Sequence, residues 1–114
     1  MPPKLVVCGP KKCGKTTLIR ELIPRHRSHG LRVATAKHSP HPHLLDKPGS
    51  DTDVHRRAGA AASTLITPSG CAIFTETADD LEDFLDKHLG DADLILVEGL
   101  GGSKWPKLLL FPSK

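Results

Sequence analysis

The sequence predicts an α/β fold, built on a mostly parallel sheet with one antiparallel hairpin. A glycine-rich loop, residues 9–17, joins a short apolar run to a stretch with helical spacing. A second apolar run, residues 94–97, ends in an acid and a glycine, as strands do at the functional edge of a parallel sheet. Two further runs, 63–67 and 71–75, are separated only by Pro-Ser-Gly, which is too short for a parallel crossover.

Length and composition favour one domain, residues 1–114, with a single core. The chain holds only three Phe and one Trp, so that core must rest on Leu, Ile, Val and Ala. No segment approaches the roughly 20 apolar residues that a membrane span needs, which favours a soluble, cytoplasmic protein without membrane contacts. Cys8, Cys13 and Cys71 cannot all pair, and we expect reduced thiols.

The loop at residues 9–17 reads Gly-Pro-Lys-Lys-Cys-Gly-Lys-Thr-Thr and fits the phosphate-binding P-loop pattern. Its two motif glycines allow positive φ, so that successive N–H groups can face phosphate oxygens. Lys15 would reach the β- and γ-phosphates, and the Thr16 hydroxyl would hold Mg²⁺. The alternative is a surface loop that fits by chance, but the flanking strand and helix favour a three-layer P-loop NTPase-like domain. The predicted phosphate contacts are Gly9, Lys12, Cys13, Gly14, Lys15, Thr16 and Thr17.

The first half of the chain is predicted to alternate strand, helix and strand. After a short disordered lead-in, residues 1–3, the first strand spans residues 4–8. The first helix runs from Lys15 to about His29, with Pro24 kinking it or ending its regular part and Gly30 as its C′ residue. The second strand is expected at residues 31–36.

Residues 37–50 contain three prolines and three histidines and predict a long loop. Our preferred interpretation is a switch-like loop over the phosphates. One alternative is a solvated loop stiffened by its prolines. The other is a metal site made by His38, His41 and His43, although the intervening prolines make a shared coordination geometry difficult.

The second half is predicted to hold two helices and three strands. Asp51 would cap a helix that runs to residues 61–62, with Val54 and Ala58 on a small-residue face that packs on the sheet. The hairpin strands follow, and Thr77 would cap an amphipathic helix that Gly90 ends. That helix carries its apolar residues at Leu81, Phe84, Leu85 and Leu89, with acids including Asp79 at its start.

Residues 94–99, Leu-Ile-Leu-Val-Glu-Gly, look like a Walker B strand. The carboxylate of Glu98 would reach Mg²⁺, directly or through water, at the carboxyl edge of the sheet. The alternative is a buried strand that ends in an exposed acid. The glycines at positions 99, 101 and 102 predict a mobile loop, which Trp105-Pro106 is expected to dock. Residues 107–111 are expected to form a last strand.

Charge is unevenly distributed along the chain. Residues 1–57 hold 12 Lys/Arg against 4 Asp/Glu, whereas residues 58–114 hold 4 against 9. A basic half around a P-loop suits a polyanionic small ligand. That half contains no Phe, Tyr or Trp on which bases could stack, so nucleic acid is not an expected partner.

Taken together, these segments resemble the molybdopterin-guanine dinucleotide biosynthesis adapter family, MobB. The matching segments span nearly the whole chain: Cys13 to Thr17, Lys37-His38, Asp46-Lys-Pro-Gly-Ser-Asp51, Arg57-Ala-Gly-Ala60, Thr75-Glu-Thr77, Leu94 to Gly99, and Pro106-Lys107. Residues 100–103, Leu-Gly-Gly-Ser, depart from the aromatic and lysine that often follow the Glu-Gly pair. Similar proteins usually continue beyond the last strand, and their tails are expected to supply part of the base pocket.

The resemblance implies a GTP-binding homodimer with slow hydrolysis at most, using GTP and Mg²⁺. Such a protein assists the guanylyltransferase that attaches GMP to the molybdopterin cofactor. The resemblance places Lys37, His38, Asp46 and Asp51 near the phosphates or the cofactor. The candidate catalytic residues are then Lys15, Glu98 and Asp51, and the candidate metal ligands are Thr16, Glu98 and Asp51.

Base preference rests on the resemblance alone, because the sequence contains no Asn/Thr-Lys-x-Asp guanine motif. One alternative function is a small P-loop kinase or ATPase acting on a metabolite, for which only Arg56 and Arg57 lie near a plausible site. A third is a metal-delivery module based on the three loop histidines.

Overall fold

A computed structural model of the chain describes residues 1–42, 44–76 and 80–111. The chain divides into two compact units, residues 1–40 with 81–114, and residues 41–80. In chain order the elements are β1 (Lys4–Cys8), α1 (Lys15–Arg27), β2 (Val33–Lys37), α2 (Asp51–Arg57), β3 (Ala62–Thr67), β4 (Gly70–Thr75), α3 (Leu81–Leu89), β5 (Leu94–Glu98) and β6 (Lys107–Leu109).

The first unit is built on a four-stranded sheet in the order β2-β5-β1-β6, in which all three strand pairs are parallel. Successive side chains of a strand point to opposite faces. Val6 and Val97 pack with α3 on one face, while Val7 and Leu96 pack with α1 on the other. Burial on both faces explains the continuous apolar runs of the sequence and confirms the three-layer α/β prediction.

Pro2 and Pro3 are hydrogen-bonded to the first unit, so the predicted disordered lead-in is wrong for these two residues, whereas Met1 is fully exposed. Pro2 is buried, and its carbonyl accepts a hydrogen bond of 3.1 Å from Lys4 Nζ. The carbonyl of Pro3 accepts from the Ile95 N–H at 3.0 Å. The Lys4 side chain is only 4% exposed and forms an ion pair with Asp86 of α3. A buried ammonium requires such partners, and they fix the start of the chain.

α1 passes through Pro24 and ends at Arg27, so Pro24 does not end the regular helix. Pro24 removes the one bond that its own N–H would donate to the carbonyl of Arg20, and only three helical residues follow it, so little of the helix is affected. Gly30 has φ 79° and donates its N–H to Arg27 O, and the Leu31 N–H donates to His26 O. This pair of bonds is the Schellman pattern with Gly30 at C′, as predicted. Leu31 is used in that cap, so β2 begins two residues later than expected.

The second unit contains α2 and a two-stranded antiparallel sheet. The register runs from Ala62 opposite Thr75 to Thr67 opposite Gly70, which confirms the predicted hairpin. The hairpin forms a sheet of its own and joins no strand of the parallel sheet among the described residues.

The prediction for α2 is wrong in its cap, its length and its buried face. Ser50 is the N-cap, and its hydroxyl accepts the Asp53 N–H at 3.2 Å. The helix stops at Arg57, before Gly59 with φ 114°. Its buried residues are Thr52 and Asp53, whereas Val54 and Ala58 are exposed.

α3 packs Phe84, Leu85 and Leu89 against the core, as its spacing predicts. The predicted cap Thr77 and the acid Asp79 lie outside the described residues. β6 is shorter than expected because its partner β1 ends at Cys8. Within residues 1–42, 44–76 and 80–111, no helix has the length and apolarity to cross a membrane.

Candidate phosphate-binding site

The loop between β1 and α1 contains three residues with positive φ angles. Gly9 has φ 152°, Lys12 has φ 60°, and Gly14, the N-cap of α1, has φ 96°. No side chain caps α1, and within the described chain the N–H groups of residues 14–17 donate to no backbone carbonyl. Such amides at a helix N-terminus form a binding site for an anion.

Gly9 is required by space as well as by φ. A Cβ atom at this position would lie 2.5 Å from Leu110 O and 2.8 Å from Cys13 Sγ. At Gly14, by contrast, a Cβ atom would meet nothing within 4 Å. The first motif glycine therefore lets the loop pass close to the β6 end of the sheet.

Lys15 closes the loop in this structure. Its Nζ donates a hydrogen bond of 2.8 Å to the carbonyl of Gly9, across the length of the motif. The ammonium therefore lies over the loop, and the side chain is partly buried. A phosphate bound to the loop amides would meet this cation.

Glu98 lies at the same edge of the sheet as the loop. In the ladder Val7 is opposite Glu98, and Glu98 is opposite Lys37, so three strands end side by side. The Thr16 hydroxyl donates to Glu98 Oε1 at 2.6 Å. Lys37 Nζ lies 3.4 Å from Glu98 Oε2, and the His38 N–H donates to the Glu98 carbonyl at 2.9 Å.

The Glu98 carboxylate is held ionised by its surroundings. The hydrogen bond from Thr16 does most to lower its pKa; burial opposes this, and the charges of Lys37 and Lys15 lower the pKa further. The residue is 8% exposed, so the charge is largely out of water. An ionised, nearly buried carboxylate at a sheet edge is a suitable ligand for a hard cation.

The donor set fits Mg²⁺. The Thr16 hydroxyl donates a hydrogen bond to Glu98, so the lone pairs of its oxygen remain available to a metal ion. Mg²⁺ is usually bound by one or two protein oxygens together with phosphates and waters. In the described parts of the chain, no group of three or more His, Cys, Asp or Glu could hold a metal by itself.

Two other candidate residues belong to the second unit. Asp51 is the first residue of α2 and is exposed. Asp46 accepts from the Ser50 hydroxyl at 3.0 Å and from Arg56 at 3.4 Å. Their proposed nearness to phosphates or metal stays a prediction. His41 also belongs to this unit, and His43 lies outside the described residues.

Asp53, which sequence reasoning did not single out, organises the loop before α2. The Gly49 N–H bond does most to lower its pKa, burial opposes this, and Arg57 lowers the pKa further. The two bonds to Asp53 Oδ2 are both 2.9 Å long. An acid three residues after a serine N-cap was the available signal.

The Lys37–Glu98 contact was also not predicted from the residues. A lysine at the end of one strand and an acid at the end of another meet only if the two strands are neighbours. The sequence does not show that β2 lies beside β5, so it did not predict this contact.

Known proteins resemble this chain in sequence and in fold. The family model described as molybdopterin guanine dinucleotide synthesis protein B matches residues 4–114. The molybdopterin-guanine dinucleotide biosynthesis adapter protein of Escherichia coli K12 is 38% identical over 97% of this chain and 66% of its own length. The protein of that name from Haemophilus influenzae is 38% identical over 95% of this chain and 62% of its own length.

A solved structure agrees with the sequence relatives. The crystal structure of a MobB protein homolog from Bacillus stearothermophilus superposes with a TM-score of 0.68 at 27% identity, covering 96% of this chain and 64% of that one. The chain thus spans 66% and 62% of the length of the two curated relatives. By the family match and the identity to its relatives, the chain belongs to the molybdopterin guanine dinucleotide synthesis protein B family.

Proposed function

We propose that the loop at residues 9–17 binds Mg²⁺·GTP, and that the chain acts as an adapter in the synthesis of molybdopterin guanine dinucleotide. The observation that carries the proposal is the 2.6 Å hydrogen bond between Thr16 and Glu98, beside amides that have no backbone acceptor among the described residues. A hydroxyl and a carboxylate prepared for a cation, next to a site for anions, suit a metal-bound phosphate chain.

Each part of the site has a separate task in this proposal. The amides of the loop and Lys15 bind and orient the phosphates. Thr16 and Glu98 hold Mg²⁺, which neutralises phosphate charge when bound. Gly9 keeps the loop close to the sheet, so that its amides converge rather than spread.

We expect hydrolysis to be slow at most. The arginines near α2 are engaged: Arg56 pairs with Asp46 at 3.4 Å and Arg57 with Asp53 at 2.9 Å, both inside the second unit. An arginine that stabilises the transition state has to be available to the phosphates. Nucleotide binding, not turnover, is then the useful property of the protein.

The names of the relatives support an adapter role in the synthesis of molybdopterin guanine dinucleotide. The guanine preference and the partner enzyme are our extension of that role. We propose that the chain acts in the cytoplasm as a homodimer. Its partner would be the guanylyltransferase that joins GMP to the molybdopterin cofactor.

Two measurements test this function in order. First, GTP, ATP and GMP compete against one fluorescent GTP analogue in the presence of Mg²⁺, and GTP should displace it at the lowest concentration. Second, a reconstituted guanylyltransferase reaction receives the wild-type chain or Lys15→Ala, and only the wild-type chain should raise the yield of guanylated cofactor. Equal displacement by ATP would refute the base preference, and equal yields would refute the nucleotide-dependent adapter role.

A further inference from the structure

We propose that Lys37 holds the place of the metal ion at Glu98 in the nucleotide-free protein and leaves the carboxylate when the ion binds. The inference deepens the proposed function, on which its link to nucleotide rests. Its core is a competition between an ammonium and a divalent cation for one carboxylate oxygen, which can be measured without nucleotide.

The Glu98 carboxylate is enclosed, and both of its oxygens are engaged. Its side chain is 11% exposed, Oε1 accepts from Thr16, and Oε2 faces Lys37 Nζ at 3.4 Å. A nearly buried carboxylate without a compensating charge would be costly. Lys37 supplies that charge, and it is the one ion-pair partner of Glu98 in the described residues.

The backbone of Lys37 is fixed in the sheet, whereas its ammonium group is mostly exposed and weakly held. Its Cα is paired with that of Glu98 in the ladder between β2 and β5, so the residue cannot move away as a whole. The side chain is 73% exposed, and its 3.4 Å contact is longer than the 2.7–2.9 Å typical of charge-assisted hydrogen bonds. Lys15 differs, because its ammonium makes a 2.8 Å bond and its side chain is partly buried.

A metal ion and this ammonium exclude each other. An ion bound by Thr16 and Glu98 would lie within a few ångströms of a cation that is 3.4 Å from Oε2. Like charges at such a distance repel strongly in a partly buried site. Metal binding therefore requires the Lys37 side chain to move into solvent or onto a phosphate. The negative charge of a bound nucleotide attracts both the metal ion and the Lys37 ammonium, and so allows both to be near Glu98. Lys37 thus makes metal binding depend on nucleotide.

The test measures metal binding to the nucleotide-free chain. Wild type, Lys37→Met and Lys37→Arg are titrated with Mn²⁺ as the probe, and free Mn²⁺ is followed by electron paramagnetic resonance. Lys37→Met should bind Mn²⁺ at least about fivefold more tightly than wild type, the lower end of typical coupling between two sites. Lys37→Arg keeps the charge and should resemble wild type. The matched control is Lys87→Met, which removes an exposed lysine from α3 with the same change in net charge.

Three results would overturn the inference. These are equal affinities of wild type and Lys37→Met, an equal gain in Lys87→Met, or a gain that survives Glu98→Gln in the Lys37→Met background. Thermal unfolding of every variant shows whether it is folded. If Lys37→Met is not folded, Lys37→Gln, which also removes the charge, takes its place with the same expected gain. A Mn²⁺ gain together with absent GTP binding would refute the proposed function alone. GTP binding without the Mn²⁺ gain would refute only this inference.

Discussion

The Thr16 hydroxyl donates a 2.6 Å hydrogen bond to Glu98 Oε1 and so joins the first turn of α1 to the end of β5. The two residues are 82 positions apart in the chain, and the parallel pairing of β1 with β5 brings them together. The bond orients the Thr16 hydroxyl and lowers the pKa of Glu98, so that the hydroxyl oxygen and the ionised carboxylate can both bind a cation.

Thr16→Val removes this hydroxyl and keeps the shape of the side chain. We expect the affinity for Mg²⁺·GTP to fall roughly tenfold or more, since a hydrogen bond to a charged group is lost together with a metal ligand. Thr16→Ser, which keeps the hydroxyl, should stay close to wild type. Calorimetric titration of the three proteins makes the comparison, and equal affinities for the valine and serine variants would show that the hydroxyl is not used.

Gly9→Ala tests the packing of the loop. The new methyl group would lie 2.5 Å from Leu110 O at φ 152°, so we expect a loss of about 2–4 kcal/mol in the free energy of unfolding. Gly102→Ala is the control, because its Cβ meets nothing within 4 Å and its φ is outside the left-handed region. That variant should stay within about 0.5 kcal/mol of wild type. Denaturant unfolding measures both, and an unaffected Gly9→Ala would mean that the loop does not pass so close to β6.

Trp105 packs the segment that follows Gly99, Gly101 and Gly102 against the core, as the sequence suggested. Its ring packs on the core cluster beside Lys4, and its Nε1 donates to Glu82 at 3.3 Å. Trp105→Phe should lose about 1 kcal/mol through the missing hydrogen bond, while Trp105→Ala should lose about 3 kcal/mol or more as the ring contacts disappear. Urea unfolding followed by circular dichroism measures both changes. A harmless alanine variant would show that the segment is not docked.

The loop before α2 should weaken in acid. The pKa of Asp53 is lower in the folded protein than its ordinary value of 3.8, because of its bond from Gly49 and its pair with Arg57. The stabilisation is therefore complete above about pH 4 to 5 and is lost as the pH falls through the lower folded pKa. Amide hydrogen exchange of Gly49 should accelerate across that range beyond the intrinsic change. In Asp53→Ala, which has no side-chain acceptor, Gly49 should exchange close to its intrinsic rate at every pH, and pH-insensitive protection in that variant would contradict the assignment.

Local signals predicted the elements that carry the candidate site, and long-range pairing explains the contacts that they missed. The loop pattern, β1 and the Glu98 strand follow from runs of adjacent residues. The contact of Lys37 with Glu98 depends on β2 lying beside β5, which no local pattern shows. Ser50 displaced Asp51 as N-cap because its hydroxyl reaches the Asp53 N–H, and both residue types are good caps.

The account depends most on the amides between β1 and α1. Backbone ¹H–¹⁵N spectra of the labelled chain, recorded with and without Mg²⁺·GTP, observe those amides one by one. The largest shifts should fall on Gly14, Lys15 and Thr16, and Lys15→Ala should abolish them. If GTP leaves these three amides unchanged while resonances elsewhere move, the loop is not the phosphate site and the central claim is wrong.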